Sequence, residues 1–197
     1  MRQAGPGWPT RGGQKAVFLD RDGTLIEDAD YLGDASRVVL LPGVVAGLRR
    51  LRDAGYGLAI VTNQSGVGRG MITEEDVVAC QDRLDGLLAE EGIELVASGW
   101  STMAPGTENR RVVEHFMRKP GPGLVIEIAR AHGLDTTRSW MIGDAERDLI
   151  AGRDGGCCGT ILIDTGQKLE RDDADLVATE RVSSFSAAVD QVLRSAG

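Results

Sequence analysis

Two aspartates one residue apart, Asp20 and Asp22, end the run Lys-Ala-Val-Phe-Leu-Asp-Arg-Asp-Gly-Thr-Leu over residues 15–25. Carboxylates held so close suit two kinds of chemistry. They bind a hard cation, or one attacks an electrophile such as phosphorus while the other moves a proton. The apolar residues Ala16–Leu19 ahead of them read as a buried strand, and Gly23 behind them marks a turn. The pair therefore belongs in a loop beyond the carboxyl end of a strand, where parallel α/β sheets place their ligands. Asp-x-Asp-Gly also opens a calcium loop. That loop wants a further oxygen ligand before its glycine and a late glutamate, whereas Gly23 follows Asp22 directly.

Three later segments supply what phosphoryl transfer needs: Thr62-Asn63-Gln64-Ser65-Gly66, Arg118-Lys119-Pro120, and Gly143-Asp144 with Asp148 one helical turn on. A phosphate ester repels a carboxylate nucleophile, and a magnesium ion between them reduces the repulsion. Asp20 and Asp144, with the backbone carbonyl of Asp22, are the candidate magnesium ligands. Asp20 is the candidate nucleophile, giving an aspartyl-phosphate, and Asp22 the proton donor to the leaving oxygen and later the base for water. The Thr62 hydroxyl, nearby backbone N–H groups and Lys119 would hold the remaining phosphoryl oxygens. Arg118 is planar and suited to gripping a second anionic group bidentately. Taken singly, each residue fits a plainer role: Thr62 or Asp144 as a helix cap, Lys119 as a solvated loop residue, Asp148 as a surface acid. Their order at successive strand ends favours the joint reading.

The elements that must position these residues alternate along the chain. Strands are predicted at Ala16–Leu19, Gly57–Thr62, Leu95–Gly99, Ser139–Ile142 and Gly159–Ile163, with a short one at Leu176–Ala178. Helices are predicted at Gly43–Ala54, Thr73–Glu90, Pro122–Ala131, Ala145–Arg153 and Ser184–Ser195. Thr73 with the acidic run Glu74-Glu75-Asp76 is a helix start. Such alternation implies an α/β fold, a parallel sheet with helices on both faces. Residues 1–14, with Gly5, Pro6, Gly7, Pro9, Gly12 and Gly13, are expected to form a loose arm before one domain over residues 15–197.

The chain has 197 residues, a net charge of −8, 42% hydrophobic and 26% charged residues. That is ordinary for one soluble domain, and its acidity argues against a nucleic-acid partner, which needs a basic face. No apolar run reaches the roughly 20 residues of a membrane span. Cys80, Cys157 and Cys158 make a poor disulfide framework, and free thiols suit a reducing cytoplasm. A monomer acting on a small phosphorylated metabolite is expected.

In that order, Asp-Arg-Asp-Gly-Thr, Thr-Asn-Gln-Ser-Gly, Arg-Lys-Pro and Gly-Asp-x-x-x-Asp resemble the motifs of the haloacid-dehalogenase-like (HAD) phosphohydrolases, over about Lys15 to Asp190. The nearest likeness is to the D-glycero-D-manno-heptose 1,7-bisphosphate phosphatases and the related histidinol-phosphate phosphatases. The resemblance implies a Rossmann-like core, magnesium, Asp20 as nucleophile and Asp22 as proton donor. It also implies substrate contacts from Asp28, Ala29, Asp30, Tyr31, Thr62, Asn63, Gln64, Ser65, Arg118 and Lys119. A receiver-like phosphoacceptor domain shares some of these residue types, but it puts its acidic pair and its acceptor on different strands. Two departures stand out. Most of this branch carries a zinc loop with a Cys-x-His and a Cys-x-Cys pair, where this chain reads Ser101-Thr102-Met103 and His115-Phe116-Met117. No zinc is expected, because one histidine cannot hold a tetrahedral site. Ala145 also follows Asp144 where relatives often carry Lys. Only Leu25 to Leu41 separates the first strand from the first helix, too little for a large cap domain.

Overall fold

The computed structural model describes residues 2–3, 13–106, 112–164 and 178–195, the first two by backbone alone. Seven strands form one sheet in the order β1-β4-β3-β2-β5-β6-β7. They are β1 Arg2–Gln3, β2 Ala16–Leu19, β3 Gly57–Asn63, β4 Ala97–Ser101, β5 Trp140–Gly143, β6 Gly159–Ile163 and β7 Glu180–Val182. β2 to β7 run parallel, and β1 pairs antiparallel with Ala97 and Ser98 of β4. The helices are α1 Val44–Asp53, the single turn α2 Ser65–Gly68, α3 Glu74–Glu90, α4 Gly123–His132, α5 Glu146–Asp154 and α6 Phe185–Arg194.

Parallel strands bury both faces, and β2 shows the consequence. Its four residues are all fully buried. Val17 and Leu19 pack with Leu48 and Leu51 of α1, Leu84 and Leu88 of α3 and Val189 of α6. Ala16 and Phe18 face the other way, onto Leu124, Val125 and Ile128 of α4. Local chemistry sets the helix starts. The Thr73 hydroxyl accepts from the Asp76 amide at 3.1 Å, and the Asp76 carboxylate accepts from the Thr73 amide at 2.8 Å. Ser184 accepts from the Ala187 amide at 3.2 Å to start α6.

The expected elements are present with four differences. β4 lies two residues later than expected, at Ala97–Ser101, where its last residues extend alongside Thr62 and Asn63. α2 was not expected, four residues being too few to show a helical period. The strand expected at Leu176–Ala178 falls on residues 176 and 177 outside the described ones, and the described edge strand is Glu180–Val182. Of the expected arm, Arg2–Gln3 pairs with β4, while residues 4–12 lie outside the description.

The order of strands decides where the site lies. From β2 the chain moves to β3 and β4 on one side, then crosses to β5, β6 and β7 on the other. β2 and β5 are thus the neighbours between which the winding reverses, and ligands bind beyond the carboxyl ends at such a point. Asp20 follows β2 and Asp144 follows β5. The ladder continues one step past β2, the Asp20 amide donating to the Ile142 carbonyl at 2.9 Å. No cap domain follows β2. Residues 25–41 form a small flap whose legs are joined by Glu27 N to Val39 O at 3.0 Å and Leu41 N to Leu25 O at 3.0 Å. Among the described residues, no helix is long and apolar enough to cross a membrane.

Candidate active site

Three carboxylates meet at the β2–β5 reversal. Asp20, Asp144 and Asp148 each present one oxygen within 4.8 Å of the others, and all three are buried. Two glycines make this approach possible. Gly23 turns with a φ of 81°, and a Cβ there would strike the Asp144 carboxylate. A Cβ on Gly143 would strike the side chain of Asp148. Only glycine permits both contacts.

Lys119 is the counter-cation. It is 1% exposed, and its Nζ donates to Asp20 Oδ1 at 2.6 Å and to the Val61 carbonyl at 2.7 Å. The same Nζ lies 2.7 Å from Asp148 Oδ1, a second buried ion pair. Burial alone would push this amine down, but Asp148 and then Asp20 outweigh it and hold Lys119 above its ordinary value. The Asn63 amide pins the lysine backbone, donating to Lys119 O at 2.8 Å and accepting from Lys119 N at 3.0 Å. The Lys119–Pro120 peptide is cis.

Asp144 is the least satisfied of the acids. Its Oδ1 is buried without a hydrogen-bond partner. Burial first, then the charges of Asp20 and Asp148, push its carboxyl up to about 8. Burial also raises Asp148, with Lys119 opposing. Three buried carboxylates with an orphaned oxygen face two cations, Lys119 and the Arg147 guanidinium, and are still short of positive charge. Their all-oxygen donor set suits a hard divalent cation such as magnesium. Asp20, Asp144 and Asp148 are the residues that would hold it, with the Asp22 backbone as the further candidate from the sequence.

Asp22 lends no carboxylate to that cluster. Its Oδ2 accepts from Gln64 Nε2 at 2.8 Å, Thr62 Oγ1 at 3.3 Å and Arg21 Nε at 3.1 Å, and its Oδ1 from the second Arg21 nitrogen at 3.2 Å. Its side chain stays about one-fifth exposed to the cavity. The chain thus divides its acids between a buried cation-seeking group and a solvent-facing acid held by amide, hydroxyl and guanidinium donors.

A cavity of about 770 Å³ opens above them. Asp20, Asp22, Asp28, Ala29, Asp30, Tyr31, Thr62, Asn63, Gln64, Ser65, Arg118 and Lys119 all line it, and Asp144 lies buried beneath. The structure therefore brings every candidate residue from the sequence to one place. Several plainer readings give way. Thr62 does not cap a helix, since Gln64 holds the capping position of α2. Asp144 does not cap α5: Ala145 occupies that position, and its amide donates to Asp148 Oδ2 at 3.0 Å. Asp148 is not a surface acid but wholly buried.

The sequence reading missed Arg21, Arg69 and Arg147. Arg21 is 1% exposed and orients Asp22. Its only signal was its place between two acids at a turn. Arg69 and Arg147 line the cavity, and Arg147 had no signal beyond being a cation in an acidic first turn.

The stretch where a zinc loop might stand is tied otherwise. The Gly106 amide donates to Glu114 Oε2 at 2.8 Å, and Arg118 donates to the Met103 carbonyl at 3.0 Å. Residues 107–111 between these legs lie outside the description.

A family model described as HAD-hydrolase-like matches residues 116–188. A D-glycero-beta-D-manno-heptose-1,7-bisphosphate 7-phosphatase of Pasteurella multocida (strain Pm70) is 31% identical over 159 residues, covering 81% of this chain and 86% of that protein. The protein of that name from Rhodopseudomonas palustris is 38% identical over 145 residues, covering 73% and 81%. The crystal structure of a D,D-heptose 1,7-bisphosphate phosphatase from B. bronchiseptica, complexed with magnesium and phosphate, superposes with a TM-score of 0.74 at 27% identity. It covers 92% of this chain and 99% of that one.

Proposed function

This chain belongs to the HAD-like phosphohydrolases, and on that footing we propose that it removes one phosphate from a sugar bisphosphate of the heptose 1,7-bisphosphate kind, with Asp20 as nucleophile. It is a phosphoric monoester hydrolase like its relatives. The observation that carries the residue assignment is the junction of Asp20, Lys119, Asp144 and Asp148 at the floor of the cavity, with Asp20 and Asp22 both lining it and the Asp22 carboxylate outside the three-acid cluster.

Asp20 attacks phosphorus from a fixed position, its carboxylate oriented by the Lys119 ammonium and its backbone by the Ile142 carbonyl. Magnesium, when bound by Asp20, Asp144 and Asp148, supplies positive charge against which the anionic ester and the anionic nucleophile approach. As the phosphorus–oxygen bond of the ester breaks, Asp22 gives its proton to the leaving sugar oxygen. The phosphoryl group is then an acyl phosphate on Asp20. Asp22, ionised and held by Gln64, Thr62 and Arg21, takes a proton from the water that attacks phosphorus, which releases inorganic phosphate and restores Asp20. Thr62 and Lys119 line the wall where the phosphoryl oxygens gather charge, as preorganised donors do. The flap residues Asp28 and Tyr31 face the sugar, whose hydroxyls match a largely polar wall. Three unpaired thiols suit work in a reducing cytoplasm.

Phosphate release from heptose 1,7-bisphosphate, against a panel of other phosphorylated metabolites, tests this reading. Asp20→Asn is nearly isosteric but a poor nucleophile, so it should abolish turnover while circular dichroism and the thermal midpoint stay native-like. Turnover of purified Asp20→Asn within tenfold of wild type would remove Asp20 from the chemistry. A wild-type chain that favours another metabolite would keep the chemistry and replace the substrate.

A further inference from the structure

Resting on the phosphatase reading above, we propose that Arg21 is the positioning residue of the acid–base step. With Gln64 and Thr62 it turns the Asp22 carboxylate so that Oδ1 is the oxygen that gives a proton to the leaving group and later takes one from water.

The Arg21 side chain is 1% exposed. Its backbone is fixed by the turn, the Arg21 carbonyl accepting from Leu25 N at 2.9 Å, Ile26 N at 3.1 Å and Thr24 N at 3.4 Å. From that stem the guanidinium reaches a single partner. Nε donates to Asp22 Oδ2 at 3.1 Å and Nη2 to Oδ1 at 3.2 Å, a fork across both oxygens. Nη1 is buried without a hydrogen-bond partner. Arginines that brace this chain bond carbonyls instead: Arg52 donates to Gly92 O at 2.7 Å and Arg49 to Glu91 O at 3.1 Å. Among the described residues, the Arg21 guanidinium bonds no carbonyl. An orphaned buried N–H costs stability. A buried charge pair often adds nothing over an apolar side chain of similar volume. Arg21 therefore serves Asp22 rather than the core.

The two Asp22 oxygens are not equivalent. Oδ2 accepts from Gln64 Nε2 at 2.8 Å and Thr62 Oγ1 at 3.3 Å as well as from Arg21 Nε. Among the described residues, Oδ1 accepts only from Arg21 Nη2. A carboxylate oxygen offers about two acceptor sites, so Oδ2 is filled and Oδ1 keeps room for a further partner. The Asp22 side chain is 21% exposed and lines the cavity. As the ester phosphorus–oxygen bond breaks, its electron pair stays on the sugar oxygen, and the proton from Oδ1 joins it there. In the second half Oδ1 takes the proton of the attacking water. The last torsion of an aspartate is broad and two-fold, so an unheld carboxylate exchanges its oxygens. Gln64 and Thr62 hold one oxygen. Arg21 alone holds both, and so sets the plane. A lysine would supply the charge without that fork.

The dependence of kcat/KM on the leaving group tests this, because kcat/KM covers the steps up to departure of that group. Heptose 1,7-bisphosphate loses an alkoxide that needs a proton, whereas p-nitrophenyl phosphate loses a phenoxide that does not. Arg21→Met should lower kcat/KM for the bisphosphate by about 100-fold, the scale of a displaced catalytic group. That loss should exceed the loss for p-nitrophenyl phosphate at least tenfold. Arg21→Gln should show the same contrast, and serves where Arg21→Met does not fold. Arg21→Lys should recover less than half of the loss on a logarithmic scale. In an Asp22→Asn background, Arg21→Met should change the bisphosphate value by less than about threefold, because the group it orients no longer carries a proton. Equal losses on both substrates, full recovery in Arg21→Lys, or an undiminished effect in the Asp22→Asn background would make Arg21 a brace and overturn the proposal. An active wild type whose Asp22→Asn variant loses both substrates equally refutes Asp22 as the acid, and the role of Arg21 with it. A wild type that hydrolyses neither ester refutes the phosphatase reading itself.

Discussion

Replacing Lys119 by Met removes the one ammonium that the buried acids share, and the cost follows from its contacts. Nζ lies 2.6 Å from Asp20, 2.7 Å from Asp148 and 2.7 Å from the Val61 carbonyl, at 1% exposure. Removing one partner of a buried ion pair costs about 3–5 kcal/mol, because the remaining charge is left uncompensated. An orphaned carbonyl alone costs about 1–3 kcal/mol. These overlap, so the metal-free variant should lose about 3–5 kcal/mol at pH 8. For a chain of this size that is a fall of roughly 6–20 °C in Tm, at about 2–4 °C per kcal/mol. The deficit should shrink toward the carbonyl cost alone at pH 5. Carboxylates stranded in the folded variant take up protons that the unfolded chain has lost, so the variant loses stability as pH rises above about 4. Magnesium should restore more stability to the variant than to wild type, since it replaces the missing positive charge and binds only the folded state. Urea denaturation in chelator and in excess magnesium, at pH 5 and pH 8, measures all of this. A loss below 1 kcal/mol at pH 8, or a loss independent of pH, would show that Lys119 does not neutralise the cluster.

Other outcomes follow from the same geometry. Asp22→Asn should slow single-turnover chemistry by roughly 100-fold or more, as for lost general acid–base catalysis, with magnesium affinity nearly unchanged because its carboxylate is outside the three-acid cluster; the two are read by rapid quench and calorimetry. Asp144, raised to about 8 by burial and by Asp20 and Asp148, binds a proton in the folded chain that the unfolded chain has released. Metal-free stability should therefore fall by up to about 1.4 kcal/mol per pH unit between about pH 4 and 8 and level off above. Magnesium binding at pH 7 should release a proton from this carboxyl, read by calorimetry in two buffers of different ionisation enthalpy, and Asp144→Asn should abolish that release. Elemental analysis after purification without chelator should find no stoichiometric zinc, as no cysteine lies between Cys80 and Cys157. Gly23→Ala should cost stability and magnesium affinity together, since its Cβ would displace the Asp144 carboxylate.

Much of this protein was legible in the order of its residues. Short apolar runs alternating with helical periods specify a parallel sheet, because strands buried on both faces leave no polar alternation. Asp20, Asp22, Thr62, Lys119 and Asp144 each follow an apolar run or precede a helix, so their place at strand ends was a local property. What side chains do across 100 residues was not. Lys119 could be read as a solvated residue and Asp148 as a surface acid until the crossing from β4 to β5 brought them within 2.7 Å of each other. Burial is a property of the packed whole, and it alone turns Asp148 from surface acid to cluster member and raises Asp144. Arg21, Arg69 and Arg147 carry no periodic or motif signal of their own. Their roles depend on which way a long side chain points once the cavity exists, a matter of tertiary direction that residue order does not encode locally. The sequence by itself determined the sheet, the loops and the kind of chemistry. The tertiary structure decided which charges share one buried volume, because Coulomb interactions gain their strength only where packing has excluded water.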